Sequence, residues 1–145
     1  MNEFIMPVDV RWSDLDPNFH VRHSVYYDWG AFCRIKFLSD HGLGPDVLTQ
    51  HHIGPILFRE ECMFRKEIKY GDKLSISLQL LKSRKNHTRW SIRHRLIKND
   101  NVLAAILTVE GAWMDTQLRK LASPPQMAIE VFNNMPKDED FEWLD

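Results

Sequence analysis

Cysteine is scarce in this sequence, which excludes a disulfide-built domain. The 145 residues include only Cys33 and Cys62, which form no C-x-x-C pair. Disulfide scaffolds and cysteine-rich zinc sites both need more thiols at closer spacing. We therefore predict two free, buried thiols in a reducing compartment, which favours a cytoplasmic location, and we prefer this interpretation to a catalytic cysteine.

Net charge and long apolar runs are also lacking. The 19 basic and 20 acidic residues leave a net charge of −1, so no overall field attracts nucleic acid. The longest apolar run, Val102 to Leu107, has six residues, whereas a membrane span needs about 18. Residues 1–7 contain no basic segment followed by an apolar one, so we expect neither a membrane span nor a secretory signal.

What the chain does contain is enough apolar material for one core. Hydrophobic residues make up 43% of the sequence, and they include 5 Trp and 8 Phe. This content excludes a disordered chain, and the length fits one domain. We predict a single domain over residues 1–136, followed by a loosely held acidic tail over residues 137–145.

Apolar spacing near the start predicts a strand, a loop and the principal helix. Residues 4–12 alternate around Pro7, which favours a strand at a sheet edge. A polar, turn-rich loop follows over residues 13–23. A broad apolar stripe then predicts a long helix, with Ser24 as its N-cap and Gly42 as the left-handed residue after its end.

From Ile56 onward the apolar period changes to two, which predicts strands joined by short turns. One long helix set against a run of antiparallel strands is typical of the α+β class. One sheet and one helix leave little core for this length, so we expect self-association through the sheet. The predicted strands cover residues 56–65, 74–80, 90–96 and 102–115, with short helices over 45–51 and 126–133.

The densest polar cluster lies in the loop before the long helix. A carboxylate in this loop, Asp14 or Asp16 beside the helix start, could serve as nucleophile or general base in acyl transfer, and the amides of the helix start suit a developing oxyanion. Asp14 is the better turn former of the two acids. Two alternatives stay open on spacing alone: both acids serve only as turn and capping residues, or His20 and His23 bind a metal with a third ligand that the sequence does not identify.

The segment from residue 11 to residue 26 also has a recognisable pattern. It consists of Arg11-Trp12-Ser13-Asp14-Leu15-Asp16, three further residues, His20-Val21, four further residues and Tyr26. This pattern resembles the signature of hot-dog-fold acyl-CoA thioesterases of the 4-hydroxybenzoyl-CoA thioesterase type. The order of elements over residues 4–120 is similar to that family as well, including the Tyr70-Gly71-Asp72 turn and the Glu110-Gly111-Ala112-Trp113 segment.

The resemblance implies an α+β hot-dog fold, in which a curved five-stranded antiparallel sheet wraps a long central helix. It implies subunits that join edge to edge as a homodimer or a homotetramer, with the active site at the dimer interface. The implied reaction is hydrolysis of an acyl-CoA substrate to the free acid and CoA, which needs no cofactor and no metal.

The resemblance also implies roles for residues of the loop and the helix. Asp16 would act on the thioester carbonyl, and the backbone amide of His23 or Ser24 would hold the carbonyl oxygen. His20 or His23 would shape the acyl pocket. Tyr26 matches the helix tyrosine of the family.

The chain departs from the family pattern at two places. Phe19 stands where the family has glycine, the residue that most readily adopts a left-handed backbone. Arg22 and His23 stand where the family has an asparagine pair. We expect Arg22 to lie near Asp16 and to favour its ionised form.

Basic residues in a later turn are candidates for binding the phosphates of CoA. Lys82, Arg84 and Lys85 cluster between two predicted strands. The alternative is an ordinary solvated hairpin tip, and we interpret the mixed-charge run over residues 59–69 as the solvated face of a strand.

Two other functions fit the same architecture. A hydratase or dehydratase would use His20 with Asp16 on an acyl thioester that keeps its CoA. A non-catalytic acyl-thioester-binding protein is favoured by the departures at Phe19 and Arg22. The products distinguish the three hypotheses, since only a thioesterase releases free CoA.

Overall fold

The structure, a computed structural model, describes residues 3–145. Two consecutive helices follow the first strand, five consecutive strands come next, and a 3-10 helical turn over Trp12–Asp14 precedes the long helix. The elements in chain order are β1 (Phe4–Val8), α1 (His23–Asp40), α2 (Pro45–Gln50), β2 (Ile53–Phe64), β3 (Leu74–Ser83), β4 (Arg89–Lys98), β5 (Val102–Asp115), β6 (Lys120–Leu121), α3 (Gln126–Asn133) and β7 (Lys137–Trp143).

Five strands form the predicted antiparallel sheet, in the order β1-β3-β4-β5-β2. Helix α1 packs on one face of this sheet and contacts β1, β2, β3 and β5. Extra residues interrupt the register in β2, β3 and β5, and such bulges bend a strand and increase its twist. The sheet therefore curves around the helix, and the expected α+β hot-dog fold is confirmed.

The core lies between α1 and the concave face of the sheet. Alternate residues of β3 point toward the helix, as the period of two predicted, and they are fully buried. The facing stripe of α1 includes Cys33 and Phe37, which are equally buried. Within residues 3–145 no helix is long and apolar enough to cross a membrane.

Helix α1 begins earlier than the sequence predicts. Its N-cap is Arg22 in extended conformation, so the prediction of Ser24 as N-cap is wrong. The cause is a contact with the preceding loop, because the Arg22 amide is held by the Asp14 carbonyl while the Arg22 carbonyl already accepts the amide of Val25. The predicted end is confirmed, since Gly42 follows the helix with a φ of +82°.

The C-terminal segment is a strand, so the expectation of a loosely held tail is wrong. Strand β7 pairs in parallel with the end of β3. The Asp138 side chain, which is 0% exposed, lies 3.1 Å from Arg93 Nη1 and 2.8 Å from Arg95 Nη1 on β4. Asp138 therefore pairs with arginines on the sheet, whereas Asp140 and Glu142 of the same segment remain exposed.

A bulge in β2 changes which of its residues face α1. The register shifts between Leu57 and Arg59, so the simple alternation predicted for this segment breaks at Phe58. Pro55 and Leu57 line a cavity against α1, and Glu60 then reaches Arg34 of the same helix. The bulge therefore turns one charged residue of β2 toward the interior.

Candidate active site

The loop before α1 is built on a buried carboxylate. Asp14 accepts hydrogen bonds from the Arg11 backbone amide at 2.9 Å and from Arg11 Nη2 at 2.8 Å. Burial alone would raise the pKa of Asp14, but these hydrogen bonds and the charges of Arg11 and Arg22 hold it below its ordinary value. Asp14 is therefore the turn former, as predicted.

Backbone hydrogen bonds attach the rest of the loop to the segment after β2. The Val21 amide donates to the Ile68 carbonyl at 2.8 Å, and His20 forms a bridge with Lys69. The Asp16 amide donates to the His20 carbonyl at 2.8 Å, which closes the loop on itself. The loop is thus held on both sides, which fixes the direction of its polar side chains.

The carboxylate of Asp16 is only partly engaged by the loop. Its Oδ1 accepts the Asn18 amide at 2.9 Å and, more weakly, the His20 amide at 3.3 Å. Within residues 3–145 no hydrogen bond reaches Oδ2. The second oxygen therefore keeps its lone pairs for a substrate or a water molecule.

Phe19 adopts the backbone conformation that glycine would favour. Its φ is +64°, in the left-handed region. Its side chain is 65% exposed and lies 6.5 Å from the Trp12 ring. The loop therefore keeps the left-handed turn that glycine would permit, although phenylalanine replaces glycine here. The backbone of Phe19 is strained as a result.

Four of the predicted site residues line one cavity of about 350 Å³, which we call the active-site cleft. Asp16 and His20 come from the loop, and His23 and Tyr26 come from the first turn of α1. Val21 of the same loop also lines the cleft, and the remaining lining residues are Phe64 at the end of β2 and Arg65, Lys66 and Glu67 after it. The structure thus joins the candidate acid to the start of the helix.

Glu67 belongs to this cleft, and the sequence analysis missed it. Its Oε2 lies 3.0 Å from His20 Nε2. The residue falls at the end of the charged run that we interpreted as a solvated strand face. A signal was present in the polar turn after the strand, but only the pairing of His20 with Lys69 shows that this turn lies against the loop.

Tyr26 forms an apolar wall of the cleft rather than a titrating group. It is 3% exposed, and its ring meets Phe64 edge-on at 4.9 Å. Burial raises the pKa of Tyr26 to about 12. The phenol therefore stays protonated at neutral pH.

The first turn of α1 presents amides without internal acceptors. Among the described residues no side chain caps the helix, and none accepts from the amides of His23 and Ser24. The start of a helix carries a partial positive charge and suits a developing oxyanion. His23 lines the cleft, so these amides lie at its edge.

Arg22 does not pair with Asp16 as we expected. Its Nη1 donates to the carbonyl of Ser13, and its charge contributes to lowering the pKa of Asp14. No ion pair between Arg22 and Asp16 occurs in the described part of the chain. The Arg22 amide donates to the Asp14 carbonyl at 2.8 Å, which places Arg22 beside the 3-10 turn that contains Ser13.

The predicted phosphate-binding residues Lys82, Arg84 and Lys85 lie at or just after the C-terminal end of β3. Lys82 is at the end of that strand, 3.5 Å from Glu142, and the Lys85 amide donates to Asp145. Arg84 and Lys82 line a separate surface cavity. Within a single protomer these residues are therefore not brought to the active-site cleft.

Neither cysteine is placed for catalysis. Cys33 is buried and Cys62 is half-buried, and both are free. Burial raises the pKa of each thiol to about 12, so the reactive thiolate is suppressed. Across residues 3–145 no three histidine, cysteine or acidic side chains come together as a metal site requires.

A family model matches most of the chain. The model described as the thioesterase-like superfamily matches residues 10–132, a range that spans the loop, α1 and strands β2 to β6. The chain belongs to the thioesterase-like superfamily. The expectation of a thioester hydrolase is thereby confirmed at the level of the superfamily.

Solved structures show the same fold at low sequence identity. A Staphylococcus aureus protein in complex with CoA is 18% identical, with a TM-score of 0.83 over 94% of this chain and 88% of that one. A 1,4-dihydroxy-2-naphthoyl-CoA thioesterase from Synechocystis is 16% identical, with a TM-score of 0.80 over 92% and 97%. A Thermus thermophilus thioesterase complexed with CoA and zinc is 23% identical, with a TM-score of 0.73 over 89% and 90%. No curated protein sequence matches the chain.

Proposed function

We propose that the protein hydrolyses an acyl-CoA thioester, with Asp16 acting on the carbonyl carbon. The observation that carries this proposal is that Asp16 and the uncapped start of α1 line one cleft. Membership of the thioesterase-like superfamily supports the reaction class. CoA in the structure of the Staphylococcus relative supports the leaving group.

Asp16 can act in either of two ways. As a nucleophile, its Oδ2 attacks the thioester carbonyl, CoA leaves as the thiolate, and water hydrolyses the resulting anhydride. As a general base, it takes a proton from the water that attacks the carbonyl, and the thiolate is then protonated. In both cases the negative charge on the carbonyl oxygen develops beside the amides of His23 and Ser24.

His20 and Glu67 would position the substrate at the cleft. Their 3.0 Å contact holds the imidazole against the wall opposite α1. Tyr26 closes the apolar side through its contact with Phe64. These residues shape the place where the acyl group begins.

We further propose a homodimer, in the cytoplasm, that forms through the free edge of β2. This strand lies at the end of the sheet and pairs only with β5 among the described residues. Its exposed apolar side chains include Phe58 and Met63, which are 52% and 55% exposed. A long exposed edge with apolar side chains favours pairing with a second strand.

Such a dimer would also account for the basic residues that one protomer leaves apart. Antiparallel pairing of two β2 edges puts the end of one strand beside the beginning of the other. The cleft is at the end of β2, whereas Phe58, nearer its beginning, lies with Lys82 and Arg84 around one cavity. The partner's Lys82 and the partner's Arg84 would then approach the cleft and bind CoA phosphates.

The direct test is release of free thiol from short, long and aromatic acyl-CoAs. We expect Asp16→Asn to reduce the rate at least about 100-fold, since the amide can neither attack nor accept the proton. The matched control is Asp100→Asn in the β4–β5 hairpin, where the carboxylate is 80% exposed and the rate should not change.

Three results would contradict this proposal. Equal rates for wild type and Asp16→Asn would remove Asp16 from the mechanism. An enoyl thioester with its CoA intact would identify a hydratase or dehydratase. Tight CoA binding without turnover of any thioester would identify a binding protein.

A further inference from the structure

Glu67 determines which nitrogen of His20 carries the hydrogen. His20 Nε2 lies 3.0 Å from Glu67 Oε2, and the other carboxylate oxygen, Oε1, lies 3.5 Å from Lys69 Nζ. An ionised carboxylate only accepts hydrogen bonds, so Nε2 is the donor in this pair. In the neutral imidazole the lone pair therefore belongs to Nδ1, and this nitrogen is the one that can act as a base.

Nδ1 of His20 is free and belongs to the loop that carries Asp16. Within residues 3–145 no hydrogen bond reaches this nitrogen. Nδ1 is bonded to Cγ, so it lies closer to the histidine backbone than Nε2 does, and the His20 amide lies 3.3 Å from Oδ1 of Asp16. The available base and the candidate nucleophile are therefore close neighbours in one cleft.

Water has access to this pair of residues, which we call the cleft dyad. The side chains of His20 and Glu67 are 36% and 49% exposed, and both line the active-site cleft. His23 lines the cleft as well, but among the described residues no carboxylate lies within ion-pair distance of it. His20 is thus the histidine of the cleft that has an orienting acid, the arrangement that makes an imidazole an effective base.

Hydrolysis through a covalent intermediate requires a base other than Asp16. Once Asp16 has attacked the thioester, its carboxylate is part of a mixed anhydride and cannot also take a proton from water. Water attacks an acyl carbon faster when a positioned base removes that proton. Glu67 has both oxygens next to cations or donors, whereas His20 keeps a free nitrogen.

We propose that His20, held by Glu67, is the general base that hydrolyses the acyl-enzyme, and that Asp16 is therefore the nucleophile. Nδ1 takes one proton from water as the water oxygen bonds to the acyl carbon. The bond between that carbon and Oδ2 of Asp16 then breaks, and its electron pair returns to the carboxylate. The imidazolium, stabilised by Glu67, releases its proton to solvent, and the CoA thiolate takes one up.

This inference rests on the proposed hydrolysis of an acyl-CoA, and kinetics can separate the two steps. The ratio kcat/KM covers the steps up to CoA release, whereas kcat also includes hydrolysis of the acyl-enzyme. His20→Ala should therefore lower kcat at least about 100-fold and lower KM with it, while kcat/KM stays within about threefold. Rapid mixing should show a burst of about one CoA per active site.

Two further measurements separate a chemical role of the dyad from a structural one. Imidazole added to His20→Ala should raise kcat several-fold, whereas it should not raise the rate of Asp16→Asn, which forms no acyl-enzyme. Glu67 acts only through His20 and is a positioning residue. Glu67→Gln should lower kcat and KM together by about tenfold, because a neutral amide stabilises the imidazolium less than a carboxylate does.

The controls use the same residue types away from the cleft. His51→Ala, at an exposed position directly after α2, and Glu130→Gln, at an exposed position on α3, should leave kcat and KM unchanged. The ring-nitrogen NMR shifts of isotope-labelled protein report the tautomer without any turnover. At a pH where the ring is neutral, His20 should carry its hydrogen on Nε2, and Glu67→Gln should give a mixture of tautomers.

The outcomes separate this inference from the proposed function. A parallel fall of kcat and kcat/KM in His20→Ala without a burst, a burst in His23→Ala instead, or a hydrogen on Nδ1 of the neutral ring would overturn the inference. In each case hydrolysis by wild type that depends on Asp16 would leave the proposed function standing. No thiol release from wild type with any acyl-CoA would overturn both.

Discussion

Two aspartates of one loop have different environments, and the difference separates a structural role from a chemical one. Asp14 is 0% exposed and is bonded on both oxygens by Arg11. Asp16 is partly exposed and is bonded through Oδ1 alone among the described residues. A carboxylate that is fully bonded stabilises the loop, whereas one with a free oxygen can react.

Phe19 is the residue at which this loop is strained. Replacing it by glycine should stabilise the protein by about 0.5 to 1 kcal/mol, because the left-handed penalty of an L-residue exceeds the entropy that glycine loses. Little packing is lost, since the side chain is 65% exposed. Denaturant unfolding at neutral pH measures the change.

The control for Phe19 is another exposed phenylalanine in an ordinary conformation. Phe32 lies within α1 and is 57% exposed. Phe32→Gly should destabilise by about 0.5 kcal/mol, since glycine is a poorer helix former. Equal losses of stability in the two variants would show that Phe19 is not strained.

One buried acid, Asp138, attaches the acidic strand β7 to the sheet. Asp138 lies between Arg93 and Arg95 and also accepts the amide of Asp140 at 2.9 Å. Burial alone would raise the pKa of Asp138, but the backbone and arginine hydrogen bonds, with the arginine charges, lower it. The pKa values of Asp14 and Asp72 are lowered as well.

These lowered pKa values set the sign of the pH dependence of stability. A carboxyl whose pKa is lowered on folding stabilises the folded state fully above the ordinary aspartate pKa of about 4. That contribution is lost as the pH falls through the lowered value. We therefore expect the free energy of unfolding to decrease as the pH is lowered below about 4.

Asp138→Asn tests this contribution directly. The variant should lose about 2 kcal/mol at neutral pH, because two buried arginine contacts lose their charged partner. Its stability should also depend less on pH in the acid range. Urea unfolding at neutral and acid pH measures both effects.

Asp140 provides the matched control for Asp138. It also pairs with Arg93, at 3.0 Å, but its side chain is 67% exposed. Asp140→Asn should therefore change stability by less than about 0.5 kcal/mol. A loss as large as that of Asp138→Asn would contradict the assignment of the stabilisation to burial.

The free edge of β2 connects the architecture of the whole molecule to its proposed activity. The sheet ends on this strand, and the active-site cleft lies at the strand's end. Pairing of two edges would cover exposed apolar side chains and complete the site in one step. Assembly and thiol release should therefore be lost together.

Lysines on the β2 edge test this coupling. Phe58→Lys with Met63→Lys should convert a particle of twice 17.2 kDa into a monomer in sedimentation experiments, because like charges oppose strand pairing. Thiol release should fall at least about tenfold with it. Leu118→Lys, at a turn position that is 68% exposed, is the control; a dimer that survives the edge lysines would refute this interface.

Much of the fold could be predicted from the sequence because its elements are strongly periodic. The alternation in β3 and the stripe of α1 depend on local spacing, and both are confirmed. Ser24 as N-cap and the loosely held tail failed because distant groups decided them. The Asp14 carbonyl positions the start of α1, and Arg93 and Arg95 hold β7.

The candidate site divides in the same way. Asp16, His20, His23 and Tyr26 were found because they are neighbours along the chain, and they line one cleft. Glu67 was missed because it approaches His20 only when the loop pairs with the segment after β2. The expected contact of Arg22 with Asp16 failed because Arg22 bonds instead to the 3-10 turn, through its amide to Asp14 and through its side chain to Ser13.

The sequence by itself determined the class of fold, the family pattern and the loop that carries the candidate acid, because these depend on residue types at short spacing. Only the tertiary structure decided that Glu67 joins the cleft, that Phe19 is strained and that Arg34 enters an apolar cavity. The first and third depend on residues brought together from separate elements, and the loop that holds Phe19 is fixed by its contact with the segment after β2. Packing creates such contacts, whereas periodicity along one element cannot specify them.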